Sequence, residues 1–114
     1  MTSAPRPITI GMNLTSAVPV TVYTVPTGYY AKWNLMYLFN NSGSTKSIAV
    51  YWRDSSTSTN IYVHNGTIAG GGYVRQDGGA YVVLEEGDTV VMQEEAGSSF
   101  STICTFELIK KEGI

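Results

Sequence analysis

Apolar and polar residues alternate with period two along nearly the whole chain, and no stretch sustains a helical period. In Tyr29–Phe39 the odd positions are Tyr, Ala, Trp, Leu, Tyr and Phe, which predicts a core face. The even set is Tyr30, Lys32, Asn34, Met36 and Leu38, wet at one end and covered at the other. Ser47–Arg53 places Ile48, Val50 and Trp52 together, and Phe100–Leu108 does the same with Phe100, Thr102, Cys104, Phe106 and Leu108. Shorter strands are expected at Val18–Val25, Asn60–His64, Tyr73–Gln76, Tyr81–Leu84 and Thr89–Glu94. Val, Ile, Thr and Tyr dominate these runs, as half-buried pleated surfaces favour.

Turn signals punctuate the strands: Pro26-Thr-Gly28, Asn40-Asn-Ser-Gly43, Asp54-Ser-Ser56, Asn65-Gly66, Gly70-Gly-Gly72, Asp77-Gly-Gly79, Glu86-Gly-Asp88 and Ala96-Gly-Ser98. Each supplies a residue that tolerates positive φ or caps a turn with its own side chain. The prediction is an all-β fold, an antiparallel β-sandwich or jelly roll of about eight strands. Residues 80–109 read as an up-and-down pair of hairpins, and Gly70–Gly72 as a hairpin end or bulge. No fixed-period repeat is present, which excludes propellers and solenoids.

Residues 1–17 differ from the single sandwich domain expected over 18–114. Met1–Pro7 is Ala/Pro/Ser/Thr/Arg, after which Ile8, Ile10, Met12 and Leu14 alternate onto one face. The segment is either the first strand of the chain's own sheet or an extended arm. As an arm, it would pair with a neighbouring subunit's sheet edge and use those four residues as apolar teeth.

Composition narrows the chemistry. One Cys and one His cannot build an internal disulfide or an N/S-ligated zinc site. Seven scattered Lys and Arg make no nucleic-acid footprint. No apolar run approaches a bilayer span, and no signal peptide is recognised at the start, so a soluble protein made inside the cell is expected. The Asn-x-Ser/Thr triplets beginning at Asn13, Asn40 and Asn65 are accordingly read as turn chemistry.

Catalytic constellations are missing. Glu85, Glu86 and Asp88 form the one dense carboxylate cluster, expected to be a solvated loop; without an EF-hand spacing it is a poor calcium site. Cys104 falls on an apolar strand face, His64 precedes an Asn-Gly turn, and Gly70–Gly72 lacks the Lys-Ser/Thr of a phosphate loop. No cofactor is expected. Tyr30, Tyr51, Tyr62 and Tyr73 fall opposite the expected core, on a chain only 14% charged. Aromatic residues on such neutral surface suit a protein interface or sugar stacking.

The order of motifs over residues 20–109 resembles small bacteriophage virion structural proteins. The likeness rests on Val22-Tyr-Thr-Val-Pro-Thr-Gly28, a long strand ending at Asn40-Asn-Ser-Gly43, and Gly70-Gly-Gly72. It continues through Gly79-Ala-Tyr-Val-Val-Leu-Glu-Glu-Gly-Asp88, Val90-Val-Met92, Ser99-Phe-Ser101 and Phe106-Glu-Leu-Ile109. It implies a non-enzymatic virion β-sandwich, used for capsid decoration, as cement, or in head or tail fibres. The implied partners are the major capsid protein or other virion proteins; the implied location is the virion, after synthesis in the host cytoplasm. Leu84–Val90 and the Phe-containing last strand are more distantly similar to trimeric jelly rolls of the tumour-necrosis-factor and complement globular-head type, which favours a homotrimer. A receptor- or carbohydrate-binding fibre domain is the alternative. On either reading Ile8, Ile10, Met12, Leu14, Tyr30, Tyr51, Tyr62 and Tyr73 are the candidate partner-binding residues.

Overall fold

The computed structural model describes residues 5–77 and 82–112. Within them nine strands form: β1 (Arg6–Leu14), β2 (Val20–Thr24), β3 (Tyr29–Asn40), β4 (Lys46–Asp54), β5 (Thr59–Ile68), β6 (Tyr73–Gln76), β7 (Val82–Leu84), β8 (Thr89–Glu94) and β9 (Phe100–Lys110). They make two antiparallel sheets packed face to face as a jelly-roll sandwich. The first runs β1-β9-β3-β6, with β7 also pairing β3; the second runs β2-β8-β4-β5. Gly78, Gly79 and Tyr81, parts of an expected turn and strand, lie outside the described residues.

The inner faces of the two sheets supply the core. Ala31, Trp33, Met36 and Leu38 of β3 and Phe100, Cys104, Phe106 and Leu108 of β9 meet Ile48, Val50, Val90 and Met92 of the second sheet. Tyr23 of β2 reaches across to stack on Phe106 with ring centroids 4.6 Å apart, and Trp33 lies 6.1 Å beyond. Each large apolar side chain so buried contributes about 1.5–3 kcal/mol of transfer free energy.

Three expectations about the strands need correction. The first concerns β3, whose odd positions were to face inward throughout. Against β9, Trp33 pairs with Phe106 and Leu35 with Thr105, so Asn34 is an extra residue. This bulge switches the buried set from Ala31 and Trp33 to Met36, Leu38 and Asn40, and turns Leu35, Tyr37 and Phe39 outward. A bulge leaves no mark in a period count, because the residues on both sides still alternate.

The second concerns strand partners. Residues 80–109 form no pair of hairpins: β7, β8 and β9 fall in the first, second and first sheets in turn. The turns at Glu86–Asp88 and Ala96–Ser98 carry the chain over an end of the sandwich. Among the described strands, β4 and β5 are the one consecutive pair that hydrogen-bond to each other. Likewise Gly70–Gly72 is no hairpin end but the crossing from β5 to β6, between sheets. A Cβ at Gly70 would lie 2.7 Å from the Ser42 carbonyl oxygen and 2.8 Å from backbone atoms of Gly43 and Ser44. Two backbones meet there too closely for any side chain.

The third concerns Asn65-Gly66, which sits inside β5 rather than in a turn. Cross-strand pairing to β4 absorbs both residues, and the irregularity falls earlier: Val50 faces His64 and Tyr51 faces Tyr62, leaving Val63 unmatched.

Buried polar residues fasten the two ends. Asn40 is enclosed and donates from Nδ2 to the carbonyls of Ile68 (2.8 Å) and Ser44 (3.0 Å), while its Oδ1 accepts from Ser42 N–H at 2.8 Å. Asp88 does the corresponding work at its own turn, described below.

Candidate interaction surfaces

The outward face of the first sheet follows from the register of β1, β9, β3 and β6. One row is Asn13, Ser101, Phe39 and Tyr73; the next is Gly11, Ile103, Tyr37 and Arg75; the third is Thr9, Thr105 and Leu35. Leu35, Tyr37, Phe39, Ile103 and Tyr73 thus form one apolar and aromatic patch. The Tyr37 and Tyr73 rings stack at 5.6 Å. Tyr73 remains 62% exposed and Ile103 37%. The polar groups beside them are satisfied within the chain: Asn41 Nδ2 donates to Ser101 Oγ (2.8 Å), Ser101 Oγ to Asn13 Oδ1 (2.9 Å), and Thr9 and Thr105 hydroxyls meet at 3.2 Å. Farther along, Lys32 faces Glu107 at 3.8 Å, and Tyr30 lies opposite Ile109.

The outward face of the second sheet is different. Tyr51 and Tyr62 meet edge to face at 5.3 Å, with Val91 beside Tyr51. Around them stand Thr89, Arg53, Asn60, Ala49, Gln93 and Asn65, and Arg53 Nη1 donates to Asn60 Oδ1 at 2.8 Å. Tyr62 is 55% exposed.

The four candidate tyrosines therefore all point away from the core but divide between opposite faces: Tyr30 and Tyr73 on one, Tyr51 and Tyr62 on the other. Ile8, Ile10, Met12 and Leu14 behave otherwise. β1 pairs with β9 of the same chain from Arg6 to Leu14, and those four side chains turn inward, with Leu14 fully buried and the others packed against the core. What β1 presents outward is Thr9, Gly11 and Asn13. Leu35, Tyr37 and Phe39 escape notice in the sequence because the bulge lies ahead of them. Ile103 is detectable there, being an aliphatic residue of the wrong parity between Thr102 and Cys104.

The groups tested for chemistry hold structural places. Asp88 is not solvated but wholly buried. Its Oδ2 accepts from Trp52 Nε1 (3.0 Å) and Glu85 N–H (2.9 Å), and its Oδ1 from the N–H and Oγ of Ser55, both 2.9 Å. Four donors occupy the carboxylate, which ties the 85–88 turn to the end of β4. Glu86 accepts from Lys111 Nζ at 2.6 Å and from Gly28 N–H at 3.2 Å. The Lys111 hydrogen bond, then the Gly28 one, holds its carboxyl below the usual range. Among the described residues no three His, Cys, Asp or Glu are placed to hold a metal ion.

Cys104 is enclosed in the first sheet, and burial pushes its thiol up to about 12. His64 is not a turn residue: it lies within β5, half-buried, with a buried Nε2 that has no hydrogen-bond partner among the described residues. Cys104 and His64 belong to opposite sheets. A cleft of about 460 Å³ opens between β5 and the β6/β7 edge, lined by Trp33, Leu35, Met36, Val63 and Val82 with Asn34 and Gln76. Its charged lining residues, Arg75 and Asp77, are ion-paired at 3.3 Å.

No family model and no curated protein matches this chain. Several solved structures share its fold. A protein in the acid-stable capsid of Helicobacter pylori bacteriophage KHP30 superposes with a TM-score of 0.62 at 11% identity, over 98% of each chain. A protein of the disulfide-linked pili that form Bacillus endospore appendages gives 0.51 at 15% identity, over 95% of this chain and 91% of that one. Eiger TNF from S. frugiperda gives 0.51 at 11% identity, over 98% and 96%. At such identities the likeness is one of fold.

Proposed function

We propose that this chain is a non-enzymatic structural protein of a phage virion, a decoration or cement protein that stabilises the shell through contacts with the major capsid protein and with its own copies, a trimer being favoured. The observation that carries the reading is the apolar and aromatic patch on the outward face of the first sheet, whose neighbouring charges are paired within the chain. Such a surface gains free energy by being covered and has little electrostatic attraction to offer. The fold it shares with a phage capsid protein accords with this role, as does the motif order along residues 20–109.

The test is co-sedimentation of the purified protein with capsids stripped of their accessory proteins. Attachment is expected, with affinity changing less than about threefold between low and high salt, because screening weakens charge pairs and leaves apolar burial intact. Failure to attach at any salt overturns the proposal, and so does attachment that collapses as salt rises.

The Tyr51–Tyr62 pair favours a second reading, a carbohydrate- or receptor-binding fibre domain. Exposed rings on a hydroxyl- and amide-rich sheet face can stack sugars. It predicts glycan-array binding that Tyr62→Ala removes; a blank array counts against it.

A further inference from the structure

We infer that copies of this chain meet through the outward face of the first sheet, with Ile103 of one copy seated in the depression over Gly11 of the next. This rests on the reading of the chain as an assembly protein and assigns the surface that joins like to like.

Gly11 is the first observation. It sits inside β1, where glycine is less favourable than alanine because it loses more backbone freedom on folding. Nothing among the described residues requires it: its φ is not in the left-handed region, and a Cβ would meet only the Thr102 carbonyl oxygen at 3.9 Å, an ordinary contact. The β1–β9 register carries no bulge, and a further use of a strand glycine is to let a ligand or another backbone approach closely. Its missing side chain opens a shallow depression of about 280 Å³, lined by Gly11, Asn13, Ser101 and Ile103 among others. Hollow and knob stand side by side, since Gly11 and Ile103 are register partners. A second copy carries both, so the surface can satisfy itself.

Charge and area support a second copy over a foreign partner. The charged residues on and beside this face are the pairs Lys32–Glu107 and Arg75–Asp77, each closed within the chain. Two such faces brought together bring no net repulsion. The five strands of this sheet hold 39 residues, which at about 3.4 Å along each strand and about 4.8 Å between strands make a face of roughly 640 Å². That is the order of the roughly 800 Å² per partner of a stable specific interface.

Sedimentation velocity on the purified protein tests this. At about 100 µM, well above the micromolar range of weak specific contacts, the wild type is expected to be a closed oligomer. Gly11→Thr fills the hollow: it should leave thermal stability equal or higher while weakening association by at least about tenfold, or about 1.4 kcal/mol. Ile103→Lys should weaken association likewise, and Tyr62→Lys on the opposite sheet should leave the mass unchanged. A wild type that stays monomeric overturns the inference. So do folded Gly11→Thr and Ile103→Lys proteins of wild-type mass, or a Tyr62→Lys protein that dissociates. A monomer that still binds capsids sinks this inference and spares the proposed function; an oligomer that ignores capsids does the reverse.

Discussion

Cys104 and Glu94 are both buried between the sheets, yet burial acts on them in opposite senses. Cys104 is a small hydrophobe whose thiol suits an apolar site. With its folded pKa raised to about 12, the native state keeps a proton that the unfolded chain releases above its ordinary value near 8.5. The contribution of this residue to stability is therefore complete below about pH 8.5 and is lost as pH rises toward 12. Native protein should resist thiol reagents at neutral pH and react at the rate of unfolding, and Cys104→Ala should flatten the alkaline limb of a stability-versus-pH curve. Glu94 is 2% exposed, and both of its carboxylate oxygens lack a hydrogen-bond partner among the described residues. Desolvation without a partner costs free energy, so Glu94→Met should raise the unfolding free energy by about 1–3 kcal/mol, measured by urea titration. Asp88, equally buried, has four donors; the contrast lies in the neighbours and not in the carboxylate.

At the scale of elements, most strands were legible because pleated, half-buried segments impose period two, and eight of the nine were expected with ends shifted by a few residues. The pairing of strands was not legible, since β7, β8 and β9 alternate equally well whether they lie in one sheet or in two. Nor was the inside-outside assignment of the far half of β3, which turns on one additional residue at Asn34. The candidate surface was accordingly half visible: Tyr73 and the other tyrosines stood out by parity, while Tyr37 and Phe39 were hidden in the expected core. The Gly70 crossing shows what local pattern conceals. A glycine run suggests slack, but here it marks a backbone contact with Ser42–Ser44. Gly70→Ala should destabilise the domain by about 1–3 kcal/mol, the usual cost of overpacking, seen as a lower thermal midpoint. An unchanged midpoint would mean that the two loops can part.

At the scale of the whole molecule, a 14% charged composition distributes unevenly over the sandwich. Its second sheet turns hydroxyls and amides outward around one tyrosine pair. The first turns out aromatic and aliphatic side chains, and its charges are closed into ion pairs. Solubility and association are thus assigned to different sides of one small body. An association driven from one side only is expected to close on itself rather than grow into filaments, because the second face offers no continuation.

The additional residue in β3 carries a consequence of its own. Because Trp33 pairs with Phe106 and Leu35 with Thr105, a chain without Asn34 would form a regular ladder and keep every side chain of 35–40 on its present face. The other register, with Asn34 itself paired to Thr105, would drive Leu35, Tyr37 and Phe39 inward and bring Met36 and Leu38 to the surface. What a neighbouring molecule meets on this sheet is therefore specified by where one residue is left unpaired as much as by composition.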